Sequence, residues 1–137
     1  MSSATSPVPN RPALLNGYRA VTHVLAVLVL VQTLIAGRSE NLGYGDWSIV
    51  PHGILGNLSF LLAVAALVLA IVSRAPRAVV AVAAVLSVLM TVQIGLGYST
   101  EGTREAGAWH ILNGVLIFGL TVYQITQSRR VAVESGP

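Results

Sequence analysis

Four stretches of about 20 apolar residues, none interrupted by Asp, Glu or Lys, leave this chain few ways to fold. They cover about 18–37, 52–73, 78–98 and 109–127, and the single charge among them is Arg19, at the edge of the first. A helix rises about 1.5 Å per residue, so roughly 20 such residues match the hydrocarbon thickness of a bilayer. The pattern predicts an all-α fold: four transmembrane helices in an antiparallel bundle. Of the 137 residues, 54% are hydrophobic and only 9% charged, where a soluble domain carries about 25% charged residues. So apolar a chain cannot solvate its own surface, and the lipid bilayer is its expected surroundings. Residues 1–16, with Pro7, Pro9 and Pro12 among serines, read as a disordered tail. Residues 17–128 read as the transmembrane domain and 129–137 as a second tail.

The charges indicate orientation. The formal charge of +3 comes from arginine alone. In a four-span arrangement Arg11, Arg19, Arg74, Arg77, Arg129 and Arg130 fall on one side, and Arg38 and Arg104 on the other. Glu40, Asp46, Glu101 and Glu105 share that second side. The positive-inside rule then places both termini in the cytoplasm of a multi-pass protein of the cell (plasma) membrane. Arginines scattered over termini and loops do not form a nucleic-acid surface. The first span is too long for the apolar core of a cleaved signal and lacks a small-x-small site after it. Tyr44, Trp47, Tyr98 and Trp109 fall near the outer boundary, and Tyr18 and Tyr123 near the inner one, as in an aromatic belt.

Two spans open on the same pattern, His-x-x-x-Gly-x-x-x-Phe: His52-Gly56-Phe60 and His110-Gly114-Phe118. Val31-Gln32 near the end of span 1 matches Val92-Gln93 near the end of span 3. Each is followed by a small residue at the fourth position (Ala36, Gly97), a polar loop, and the histidine-bearing helix. The order reads as a duplicated helical hairpin. Short connections favour an up-down-up-down bundle with the second and fourth helices on a diagonal, which brings His52 and His110 to one depth. Neutral imidazole is a good ligand for haem iron, so His52 and His110 are the candidate metal ligands of one b-type haem. Without cysteine, covalent haem attachment and disulfides are excluded. Gly56 and Gly114 lie one turn below the histidines and admit a flat ligand or a helix backbone. Phe60 and Phe118 form an apolar floor. Gln32 and Gln93 arrive at similar depth as hydrogen-bond partners for imidazole, a quinone or a porphyrin edge, and Arg38 and Arg104 suit haem propionates.

Each residue also has a plainer structural role. A histidine at a membrane boundary sits among headgroups, Gly-x-x-x-Phe serves close helix packing, glutamines bond between helices, and loop arginines are solvated. His23, nine residues before Gln32, falls on the opposite face of span 1 and has no histidine partner at its depth. It reads as a packing or interfacial residue. No Walker loop, Rossmann fingerprint, zinc-protease helix or serine elbow is present, and no catalytic residues are assigned.

The order Gln-x-x-x-Gly, polar loop, histidine at a helix start, with Ala36 in the glycine's place in the first hairpin, resembles one half of the heme A synthase family. The matching pieces are Gln32 to Ala36 with His52, and Gln93 to Gly97 with His110. In that family four-helix halves hold haem through histidines on alternate helices. Its catalytic half carries Glu-x-x-His-Arg, whereas here Ile49 and Gly53 flank His52 at those places. The resemblance therefore implies a one-haem, non-catalytic relative. The chain is also similar to small bacterial four-span membrane proteins of unknown function, through Val31-Gln32-x-x-x-Ala36-Gly37, His52-x-x-Leu55-Gly56 and His110-x-x-Asn113. The first functional reading is a b-type haem protein that transfers electrons near the outer leaflet to a quinone or another membrane redox partner. The alternative is a cofactor-free accessory subunit or scaffold of a larger membrane complex, as a homo- or hetero-oligomer. A small transporter or channel ranks last, because only Gln32, Gln93 and scattered Ser and Thr offer a polar path.

Overall fold

The computed structural model describes residues 12–41, 48–100 and 103–134. They form four helices: α1 (Pro12–Asn41), α2 (Val50–Val72), α3 (Arg77–Ser99) and α4 (Arg104–Glu134). Even the shorter two, of 23 residues each, reach roughly 35 Å at 1.5 Å per residue. All four are long and apolar enough to cross a membrane, and the chain is a multi-pass integral membrane protein. α1 begins at Pro12, inside the stretch expected as a tail, and α4 continues to Glu134, beyond the expected end of its span. Tyr44, Asp46, Trp47 and Glu101 lie outside the described residues.

Each helix packs on its two neighbours around a ring, α1 on α2 and α4, α3 on α2 and α4, while the diagonal backbones stay apart. Local sequence sets the ends. Ser48 Oγ accepts the Val50 N–H at 3.1 Å, and Pro51 follows in the first turn of α2, where its missing N–H costs nothing. α2 stops when Arg74 adopts φ 56°. The Arg74 N–H then reaches the Ile71 carbonyl and the Ala75 N–H the Ala70 carbonyl, both at 3.0 Å, a Schellman closure built without glycine. Pro76 prevents the helix from resuming and caps α3. Thr103 Oγ1 caps α4 by accepting the Ala106 N–H at 3.2 Å.

On α2 the inward face is small or polar and the outward face large and apolar, the reverse of a helix in a soluble bundle. α2 buries Ser59, Ala63, Ala66 and Ala70 while Ile54, Leu58, Leu61 and Val68 face outward. Lipid solvates large apolar side chains as well as a core does, so small residues that let backbones approach take the inside. Two apolar layers fill the bundle. Leu15, Tyr18, Ala66, Ala70, Val79 and Ala83 form the layer near the termini. Leu25, Val29, Ala63, Leu86, Met90 and Ile117 form the middle one, against which Phe60 and Phe118 pack. Tyr18 is fully buried, so it belongs to this core and not to an aromatic belt. It lies on the same α1 face as Thr22, Leu25 and Val29, all buried. Tyr98, Trp109 and Tyr123 are exposed.

The hairpin duplication recurs in the burial pattern. Tyr18, Thr22, Leu25 and Val29 of α1 correspond at one constant offset to Val79, Ala83, Leu86 and Met90 of α3, and all eight are buried. Ser59, Ala63, Ala66 and Ala70 of α2 correspond in the same way to Ile117, Thr121, Gln124 and Ser128 of α4, again all buried. The second offset is the one that relates His52 to His110. Two hairpins of like design thus close the ring, and their equivalent positions converge at the end of the bundle opposite the termini.

Candidate functional site: a histidine pair across the bundle diagonal

His52 lies in the first turn of α2 and His110 in the second turn of α4. α4 begins about one turn earlier relative to its histidine, so the two side chains still meet. Their ring centroids are 5.9 Å apart with planes inclined at 66°. Both residues are half-buried.

The hairpins hold the two rings alike. His52 Nδ1 lies 2.9 Å from the Gln32 carbonyl oxygen, and His110 Nδ1 lies 3.2 Å from that of Gln93. A carbonyl only accepts, so each Nδ1 carries the proton and donates it. Each Nε2 then carries the lone pair that a metal would take, the arrangement by which an outer hydrogen bond orients a ligating histidine. The glycines one turn below answer to the same glutamines. A methyl group on Gly56 would stand 3.3 Å from Gln32 Oε1, and one on Gly114 would stand 3.3 Å from Gln93 Nε2. The space freed by the missing side chains is therefore shared with the glutamine amides. Phe60 and Phe118 lie one turn further in.

The halves differ in what the glutamine side chains do. Gln32 Nε2 donates to Ser59 Oγ at 3.4 Å, a long bond, and His52 Nε2 makes no hydrogen bond among the described residues. Gln93 Nε2 donates to the His110 carbonyl at 3.0 Å and approaches His110 Nε2 at 3.1 Å. Its Oε1 accepts from Asn113 Nδ2 at 2.7 Å, and Asn113 Nδ2 also donates to the Leu89 carbonyl at 2.9 Å. This chain of donors has one consistent assignment. The Leu89 carbonyl fixes the Asn113 amide, Asn113 fixes the Gln93 amide, and Gln93 then presents N–H to the lone pair of His110 Nε2. Gly97 makes room for the ring, since a methyl group there would meet His110 Cε1 at 3.2 Å.

The expected site residues are thus partly gathered. His52, His110, Gln32, Gln93, Gly56 and Gly114 converge on one end of the bundle. Arg38, half-buried in the last turn of α1, and Arg104, exposed in the first turn of α4, stand at that end above the histidines. His23 is exposed and its Nδ1 donates to the Arg19 carbonyl of its own helix at 2.7 Å, away from the pair. The backbone carbonyls of the glutamines and the role of Asn113 escape a reading by motif. The pattern His110-x-x-Asn113 carries the only trace of the latter. Among the described residues no group of three or more His, Cys, Asp or Glu side chains converges. Compared with family models, with curated proteins and with solved structures, the chain finds no match.

Proposed function

We propose that the protein is a b-type haem protein in which His52 and His110 ligate one haem between α2 and α4. The observation that carries this reading is the pair itself: two imidazoles 5.9 Å apart, each fixed through Nδ1 by an equivalent backbone carbonyl. Two imidazoles sharing one metal ion would have ring centroids at most roughly 6 Å apart, given metal–nitrogen bonds of about 2 Å. A bare structural or catalytic zinc takes three or four protein ligands. Haem iron asks the protein only for axial ones, which is what two histidines supply. A bound haem supplies one-electron chemistry. The chain orients the imidazoles, and Gly56 and Gly114 keep bulk away from the face where a flat group would lie. Admitting it requires the Gln32 and Gln93 amides to move aside. Arg38 and Arg104, at the same end of the bundle, would be the residues to pair with the haem propionates.

The orientation belongs to the same proposal. Arg19, Arg74, Arg77 and Arg129 lie at the end carrying the termini, and by the positive-inside rule this supports a cytoplasmic position for that end, with the histidines near the outer leaflet. A haem held there would exchange electrons with a quinone or a membrane redox protein. The likeness to one half of the heme A synthase family, without its Glu-x-x-His-Arg motif, fits a carrier and not a synthase. The test is titration of the purified protein with haemin in mild detergent. One haem per chain with a sharp Soret band is expected, and His52→Ala combined with His110→Ala abolishes it. A protein that takes up no haem, or a double variant with an unchanged spectrum, overturns the reading.

A further inference from the structure

The two halves of the site follow one design, yet the polar groups around the two Nε2 atoms differ. His52 Nε2 has no hydrogen-bond partner among the described residues, whereas Gln93 Nε2 stands 3.1 Å from His110 Nε2. The difference has a cause in sequence. Leu55 occupies the α2 position equivalent to Asn113, so the first hairpin has no amide to hold its glutamine. Asn113 is buried and ties Gln93 to the Leu89 carbonyl. Gln93 can leave His110 only by surrendering its bonds to Asn113 Nδ2 and the His110 carbonyl. Among the described residues the Gln32 side chain is held only by a 3.4 Å contact with Ser59.

Resting on the haem reading, we infer that the ligands are inequivalent: His52 is the permanent ligand, and His110 is the replaceable one, with Gln93 as the competitor for its Nε2 and Asn113 as the positioning residue that keeps Gln93 in place. With haem bound and reduced, His110 would be the side chain to give way to a small neutral ligand such as carbon monoxide, and His52 the one to hold. A symmetric bis-histidine carrier would have no such preference.

Two measurements separate this inference from the haem assignment. The first uses the cofactor-free protein and diethyl pyrocarbonate, which acylates a free imidazole nitrogen, with modification at each histidine followed by mass spectrometry. His52 is expected to react roughly three- to tenfold faster than His110, the weight of one hydrogen bond. In Gln93→Leu and in Asn113→Leu the His110 rate rises toward that of His52 while the His52 rate holds. A general loosening of the bundle would raise both. Equal rates in the natural protein, or parallel increases at both histidines, overturn the inference whatever the haem result. The second uses the haem-loaded, reduced protein and the rate of carbon monoxide binding. Gln93→Leu is expected to slow it by a similar factor, because His110 then rebinds without competition, and an unchanged rate overturns the inference while leaving the haem assignment intact. Failure of the natural protein to load haem overturns both.

Discussion

Gly95 and Gly97 sit two residues apart on α3, yet a methyl group has opposite consequences at each. A Cβ on Gly95 meets nothing within 4 Å, while one on Gly97 meets the His110 ring at 3.2 Å. Replacing glycine by alanine in a helix is intrinsically favourable by roughly 0.5–1 kcal/mol. Gly95→Ala is therefore expected to be neutral or slightly stabilising. Gly97→Ala displaces a ring that is anchored at Nδ1 and cannot yield as a flexible chain would, so it lowers stability by about 1 kcal/mol. Thermal unfolding of the two variants in one detergent checks the contrast, and equal midpoints would show that Gly97 does not set the position of His110. This distinction is not readable in the chain, because both glycines occur in the run Gly95-Leu96-Gly97. It depends on which face of α3 turns toward α4. The histidine pair itself is readable, since the repeated spacing to glycine and phenylalanine survives without any knowledge of rotation.

Among the elements, the α2–α3 turn holds its non-glycine residue at a cost. Arg74 sits at φ 56°, a region where a side chain costs roughly 1–2 kcal/mol relative to glycine. Arg74→Gly is expected to raise stability by about 1 kcal/mol without changing the turn. Arg74→Val should lower it, because a β-branched residue is worse still at positive φ. Unfolding in a graded mixture of mild and denaturing detergent gives both values. The helices themselves are evident in the sequence from length and the lack of charge, but their rotations are not. In water the buried face of a helix announces itself by an apolar stripe. Here Val27, Leu30 and Leu34 of α1 face outward while Tyr18 and Thr22 are buried. With lipid outside, apolar periodicity no longer marks the inside, and Tyr18 is misread as a boundary residue for that reason. The partnership of Asn113 with Gln93 is hidden by the same loss of signal.

The whole molecule is two like hairpins closed into a ring, with an apolar interior at the middle and a polar site where the duplicated histidines converge. The absence of cysteine makes its orientation directly testable. Single cysteines placed at Arg74 and at Arg104 are expected to react with a membrane-impermeant thiol reagent from opposite sides, with Arg104→Cys labelled in intact cells and Arg74→Cys only after lysis. Labelling in the reverse order would place the histidines at the cytoplasmic face. The central claim, that one histidine from each hairpin ligates a single iron, is reached most directly by electron paramagnetic resonance of the oxidised, haem-loaded protein at low temperature. A single low-spin ferric species is expected, converted to high spin by His110→Ala and lost with the haem in His52→Ala. A low-spin signal that survives both substitutions would contradict the claim, as would the absence of any haem signal from the natural protein.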